Sequence, residues 1–79
     1  MTESGSPRSA APRIVVLGVQ RGDPPYRLVE AGGEFVGRAH SVVDVIEIAH
    51  RLGMKHVDLD DPDTVRWVGG DKYTWVPWH

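Results

Sequence analysis

The sequence predicts an α+β fold in which a small mixed sheet of four to six short strands packs on one helix. Three observations predict it: a β-branched apolar run near the start of the chain, two short β-compatible segments around a glycine pair, and apolar residues at helical spacing from Ser41 to about Leu52. The chain has 79 residues, which is room for one domain. We place that domain at residues 13–79, after a tail formed by residues 1–12.

Composition and charge narrow the class of protein. Hydrophobic residues make up 41% and charged residues 25%, close to the globular average. The absence of cysteine excludes disulfides, thiolate zinc sites and a cysteine nucleophile. No apolar run approaches the length of a membrane span, and residues 1–13 lack the apolar core of a signal peptide, so we expect a cytoplasmic protein without membrane contact. The net charge of -2 disfavours binding to nucleic acid mainly through phosphate neutralisation.

The first half of the domain reads as three strands. Residues 1–12 contain nothing larger than Met1 to bury, which predicts a disordered tail. The run from Ile14 to Val19 is typical of a central strand covered on both faces. After a loop rich in glycine and proline, Tyr26 to Ala31 and Glu34 to Ala39 predict a hairpin, because Gly32-Gly33 accepts the positive φ angles of a tight turn.

The helix is the best-specified element. Ser41 followed by Asp44 approximates a capping box, with aspartate in place of the usual glutamate or glutamine. Gly53 suits the left-handed position after the last turn, and Met54 is placed for the apolar contact that often accompanies it. An apolar stripe with i, i+3, i+4 spacing is expected to face the sheet: Val42, Val45, Ile46, Ala49 and Leu52.

The segment after the helix is predicted to contain a half-buried strand. His56 to Asp60 alternates with period two, which turns Val57 and Leu59 toward the helix. Asp61-Pro62 suits the start of a short helical turn, whereas Val65 to Val68 suits a strand; we favour the strand.

The C-terminal segment reads as a further hairpin whose register is open. If residues 69–71 form a three-residue loop, Trp67 lies opposite Tyr73, and Val65 lies opposite Trp75. One more loop residue would place the two tryptophans on different faces. The sequence therefore leaves open whether Trp67 and Trp75 belong to the core or to an interface.

In pattern and order, Tyr26 to about Trp75 resembles the N-terminal domain of bacterial translation initiation factor 3. The resemblance implies a β-grasp-like sheet on one helix and a non-enzymatic module that binds the small ribosomal subunit. The 79 residues add the strand at 14–19 and contain no counterpart of that family's second domain or lysine-rich interdomain helix, so a complete initiation factor is not expected. The matching features are Arg27-Leu28-Val29, Gly33-Glu34, Val36-Gly37, Ser41 and Ala49 in the helix, Val57-Asp58-Leu59, Pro62, Val65 and Lys72-Tyr73.

Candidate chemical groups are few. The acidic stretch from Asp58 to Asp63 offers hard oxygen ligands for Mg²⁺ or Ca²⁺, but its spacing fails the EF-hand pattern, and turns or caps explain it better. The serines offer no catalytic triad. We therefore expect no enzyme, no cofactor and no metal, with a metal-dependent enzyme centred on Asp58, Asp60 and Asp63 as a remote alternative. The four histidines lack zinc-ligand spacing: His40, His50, His56 and His79.

These observations favour a non-catalytic binding or accessory module that binds a protein partner or forms a homodimer. Contact is expected through an edge strand or through the aromatic C-terminus. The alternative is an RNA- or ribosome-associated protein, with Arg27 and Arg38 as RNA contacts if they share one face with Arg66 and Lys72. The candidate partner-binding surface consists of Arg66, Lys72, Trp75 and Trp78.

Overall fold

The computed structural model describes residues 13–77, so the predictions for residues 1–12, Trp78 and His79 concern residues outside the described part. The α+β prediction is confirmed: a four-stranded mixed sheet packs on one helix. In chain order the elements are β1 (Ile14–Gln20), β2 (Tyr26–Ala31), β3 (Glu34–Ala39), α1 (Val42–Arg51) and β4 (Val65–Trp67).

The sheet has the strand order β3-β2-β1-β4. Strand β2 is antiparallel to both of its neighbours, whereas β4 runs parallel to β1. Because parallel strands need a crossover connection, the return to β4 passes through α1. Strand β1 therefore lies inside the sheet, as its β-branched run predicts, and the order of hairpin, helix and parallel strand is β-grasp-like.

The predicted hairpin is confirmed. Strands β2 and β3 pair from Arg27 opposite Ala39 to Ala31 opposite Glu34. Gly32 and Gly33 have φ angles of 62° and 82°, so the turn uses the left-handed backbone that glycine adopts without strain.

The helix has its predicted bounds but differs in its N-terminal cap. Ser41 makes no side-chain cap hydrogen bond. Instead the Asp44 carboxylate accepts the backbone N–H of His40 at 2.8 Å. The C-terminus is as predicted: Gly53 has φ 92°, and the N–H of Met54 donates to the Ala49 carbonyl at 3.0 Å, which closes a Schellman motif around a buried Met54.

The buried face of α1 is rotated from the predicted stripe. Ile48 is buried, whereas Leu52, predicted to face the sheet, is 45% exposed. Leu52 is the C-cap residue, one position beyond the last helical residue Arg51. A Cβ on Gly37 would lie 3.1 Å from Ile48 Cδ1, so the glycine in β3 lets the helix approach closely. The core consists of Ile14, Val16, Val29, Ala39, Val45, Ile48, Ala49, Met54 and Val65.

The strand predicted at His56 to Asp60 is wrong. The Asp58 carboxylate accepts the backbone N–H of Asp60 at 3.0 Å, which bends the chain into a turn where a strand would have to stay extended. Val57 and Leu59 still pack against the core, as expected. After Asp61 the predicted turn and the predicted strand both occur, one after the other. The carbonyl and the carboxylate of Asp61 cap a turn, and this turn leads directly into β4.

The C-terminal hairpin is also wrong. Strand β4 pairs with β1 rather than with the residues that follow it, and Lys72 and Tyr73 form a turn. From Val68 onward the chain folds back over the helix side of the sheet, where Trp67 and Trp75 pack against the core.

Candidate functional site

A fully buried arginine organises the C-terminal segment. Arg27 in β2 has 0% exposure. Its Nε donates to the carbonyl of Leu17 at 2.7 Å, and Nη1 donates to Asp71 at 2.7 Å and Thr74 at 2.8 Å. Nη2 donates to Val68 at 3.1 Å and Gly70 at 2.8 Å. All five N–H donors of the guanidinium are thus used on what we call the carbonyl cage, formed by the backbone carbonyls of Leu17, Val68, Gly70, Asp71 and Thr74.

Two tryptophans complete the surroundings of Arg27. Its Cζ lies 5.3 Å from the ring centroids of both Trp67 and Trp75, which meet edge to face at 6.2 Å. Each indole N–H is itself satisfied: that of Trp67 donates to Leu59 O at 2.9 Å, and that of Trp75 donates to Lys72 O at 2.6 Å. The tryptophans therefore pack half-buried against the core, beside a buried cation whose desolvation strengthens the cation–π attraction.

The buried cation changes the assignment of Arg27. Burial lowers the pKa of Arg27, and the negative charge of Asp71 partly offsets this effect, but an arginine side chain stays protonated in a protein. Carbonyl dipoles rather than a hydrogen-bonded carboxylate surround the charge. Since no donor and no surface of Arg27 is accessible, the expected RNA contact at Arg27 is corrected to a structural role.

Asp71 gives the loop around Arg27 a dependence on pH. The backbone N–H of Tyr73, the hydroxyl of Thr74 and the charge of Arg27 all lower the pKa of Asp71 from its ordinary value of 3.8. A carboxyl with a lowered pKa in the folded state stabilises that state above its unfolded pKa, and this contribution is lost as the pH falls through the folded pKa.

Asp71→Asn should therefore lower the thermal midpoint near neutral pH, and its difference from the original chain should shrink below about pH 3.8. Thermal unfolding of both chains between about pH 6 and pH 2 measures this. Asp63→Asn is the control, because the Asp63 carboxylate accepts no hydrogen bond within residues 13–77. A difference between the two chains that is independent of pH would contradict the role of the Asp71 charge.

The predicted C-terminal surface lies around the turn at Lys72 and Tyr73. Lys72 Nζ lies 2.5 Å from Asp60 Oδ1, and this hydrogen bond raises the pKa of Lys72. Tyr73 is 79% exposed. Arg66 and Lys72 line one shallow groove of about 450 Å³, and Lys72 and Trp75 line a second of about 430 Å³. The structure thus brings these three predicted residues near one another, but the lysine is already paired and the tryptophan is half-buried.

A second candidate surface lies on the side of the sheet away from the helix, and Arg66 on the edge strand β4 borders both surfaces. Gly37 points at Ile48 of α1, so Gly37 and the residues paired with it in register face the helix. Residues of the other parity face away, and the bulge in β3 places Phe35, opposite Glu30, on this outward side as well. One outward row crosses all four strands, running from Phe35 through Glu30 and Val15 to Arg66, and a second row contains Arg38 opposite Leu28. Leu17 follows Val15 by two positions in β1 and is assigned to the same face. We call this set the open face: Val15, Leu17, Leu28, Glu30, Phe35, Arg38 and Arg66.

The open face is more apolar than a solvent-facing sheet surface usually is. A one-sided antiparallel sheet normally presents polar residues to water, yet three of the four open-face residues on the central strands β1 and β2 are apolar: Val15, Leu17 and Leu28, with Glu30 as the fourth. Phe35 is 60% exposed. No helix or strand within residues 13–77 lies over this face. The prediction that β1 is covered on both faces is therefore met on the helix side alone in the described part of the chain.

Both sheet edges carry features that hinder strand addition. Strand β3 has a bulge, because the register shifts between Val29 opposite Gly37 and Glu30 opposite Phe35. Strand β4 is three residues long. Bulges and very short edge strands are common devices against edge-to-edge pairing, so the open face is a better candidate surface than either edge.

The acidic side chains between Asp58 and Asp63 lie in turns. Within residues 13–77, no three His, Asp or Glu side chains lie close enough together to hold a metal ion. Asp58 and Asp61 serve as turn-forming acceptors, as the turn interpretation predicts. Across the same residues, no helix is long and apolar enough to span a bilayer. No family model, curated protein or solved structure matches the chain.

Proposed function

We propose that this chain is a cytoplasmic, non-catalytic module that binds a protein partner through the open face. The observation that carries the proposal is an outward sheet surface on which the half-buried Val15, Leu17 and Leu28 lie near the 60% exposed Phe35, with no helix or strand of residues 13–77 over it. Apolar side chains gathered on one exposed surface mark interaction sites more often than polar ones do, since burying them on binding is favourable.

The fold supports such a role because it forms the open face before any partner binds. The core lies on the other side of the same strands, and the carbonyl cage ties β1, β2 and the C-terminal segment together through Arg27. A preformed surface loses little conformational freedom on binding, which favours affinity. Phe35, the most exposed large apolar side chain of this face, is the expected anchor.

Phe35→Glu should abolish partner retention without unfolding the chain, because it places a charge where apolar contact is expected. Val43→Glu is a matched control: Val43 is 58% exposed and belongs to α1, on the helix side of the sheet. Both variants and the original chain are immobilised and exposed to lysate of the cells that express the chain. A protein retained by the original and by Val43→Glu but not by Phe35→Glu is the expected result. Equal retention by all three, or no retained protein, contradicts the proposal.

RNA binding is a second candidate, favoured by one observation. Arg38 and Arg66 both belong to the open face, and the guanidinium of Arg38 lies 4.8 Å from the Tyr26 ring centroid. A sheet that presents arginine beside aromatic rings is a common platform for unpaired bases. In the same retention experiment, RNA recovered at low salt and lost steeply as salt rises would favour this candidate over a protein partner.

A further inference from the structure

The open face has room for one α-helix between two arginines. We infer that the protein partner contributes an amphipathic helix whose apolar stripe is flanked on both sides by carboxylates. This inference rests on the proposed function, because it names the partner element that the same face would take.

The spacing of the strands sets the size of the occupant. Arg38 lies on β3 and Arg66 on β4, at opposite edges of the sheet, with β2 and β1 between them. Three inter-strand spacings separate the backbones of the two arginines by about 14 Å across the strands, and the Arg38 guanidinium leans over the Tyr26 ring at the start of β2. A helix with its side chains is about 10–12 Å wide. A single helix laid along β1 and β2 would therefore contact the apolar residues of those strands and pass between the arginines.

The charges of Arg38 and Arg66 determine which residues the partner helix needs on either side of its apolar stripe. Within residues 13–77, neither Arg38 nor Arg66 has a carboxylate at salt-bridge distance. Stacking on Tyr26 holds Arg38 in place, so part of the entropy cost of pairing it is already met. Asp or Glu on each side of the incoming stripe would pair with these cations. Glu30, between Phe35 and Val15, further favours a basic residue at one point of the partner.

Other occupants fit less well. A second copy of this chain would bring the same surface, with two arginines and one glutamate, against itself and leave arginines facing arginines. Residues 1–12 have no large apolar side chain beyond Met1 to lay on the face. An extended segment needs a sheet edge for its backbone hydrogen bonds, and both edges are hindered by the bulge in β3 and the shortness of β4.

Selection from a phage-displayed library of helices with one randomised surface tests the inference. The bait is the full chain, with Phe35→Glu as counter-selection. The expected binders carry an apolar stripe with Asp or Glu on both flanks. Against the double variant Arg38→Glu, Arg66→Glu, selection should instead enrich Lys or Arg at the flanks. A helix selected on the original chain should lose about tenfold or more in affinity for that variant.

The outcomes separate this inference from the proposed function. Thermal unfolding first establishes that the double variant folds like the original chain. The inference is overturned if the flanking residues selected on the double variant are the same as those selected on the original chain, or if no selected helix depends on Phe35. In either case, a cellular partner that is lost with Phe35→Glu still upholds the proposed function. If the selection yields no helix that depends on Phe35, and the lysate yields no partner that is lost with Phe35→Glu, then both the inference and the proposed function are overturned. RNA binding that disappears in the double variant, without helix enrichment, also overturns the inference.

Discussion

Replacing Arg27 with alanine is expected to lower the free energy of unfolding by at least about 3 kcal/mol, because a hydrogen bond from a charged donor contributes about 1.5–3 kcal/mol and five are lost together. Five backbone carbonyls would lose their donor at once, and two tryptophans would lose the cation between them. A chain of 79 residues has a total stability of about 4–12 kcal/mol. The substitution should therefore remove a large share of that stability or prevent folding altogether.

Urea denaturation of three variants separates the causes of this loss. Arg27→Lys keeps the charge but has three donors for five carbonyls and no planar group to lie between the tryptophans, so a loss of about 2 kcal/mol or more is expected. Arg38→Ala is the matched control on the neighbouring strand; because Arg38 is exposed, its loss should stay below about 1 kcal/mol. Similar stability for Arg27→Ala and Arg38→Ala would refute the assigned role of Arg27.

Local patterns predict much of the fold because each depends on neighbours in the chain. The hairpin needs two glycines with positive φ, and the end of α1 needs Gly53 followed by Met54; both requirements are visible in the residues themselves. The alternation at His56 to Asp60 failed for a local reason as well, because the Asp58 side chain competes for the backbone N–H of Asp60.

The role of Arg27 could not be predicted in the same way because its partners are distant. Four of its five acceptors lie more than 40 positions further along the chain, in a segment without regular structure. One signal was available: Arg27 has the same parity as Val29 in a predicted strand, so one of its neighbours on that face is a core residue. The open face likewise depends on the pairing of β1 with β4, which sequence periodicity does not specify.

Gly70→Ala is expected to cost about 2–4 kcal/mol, because two effects combine at this position. Gly70 has φ 143°, a backbone conformation that side chains rarely tolerate. A Cβ there would also lie 2.8 Å from Thr74 Cγ2 and 2.9 Å from Thr74 Cβ. Gly33→Ala is the control, since Gly33 has φ 82° with nothing within 4 Å of its Cβ position and should lose about 1–2 kcal/mol.

The same substitution tests whether the carbonyl cage acts as one unit. The carbonyls of Gly70 and Thr74 both accept hydrogen bonds from Arg27, so a shift of this loop weakens the contacts that Arg27→Lys also weakens. The losses of Gly70→Ala and Arg27→Lys should therefore sum to more than the loss in the double variant, with a coupling of about 1 kcal/mol or more. Gly33→Ala lies in a turn outside the cage and should be additive with Arg27→Lys. Additivity in both pairs would mean that the loop keeps its conformation without Arg27.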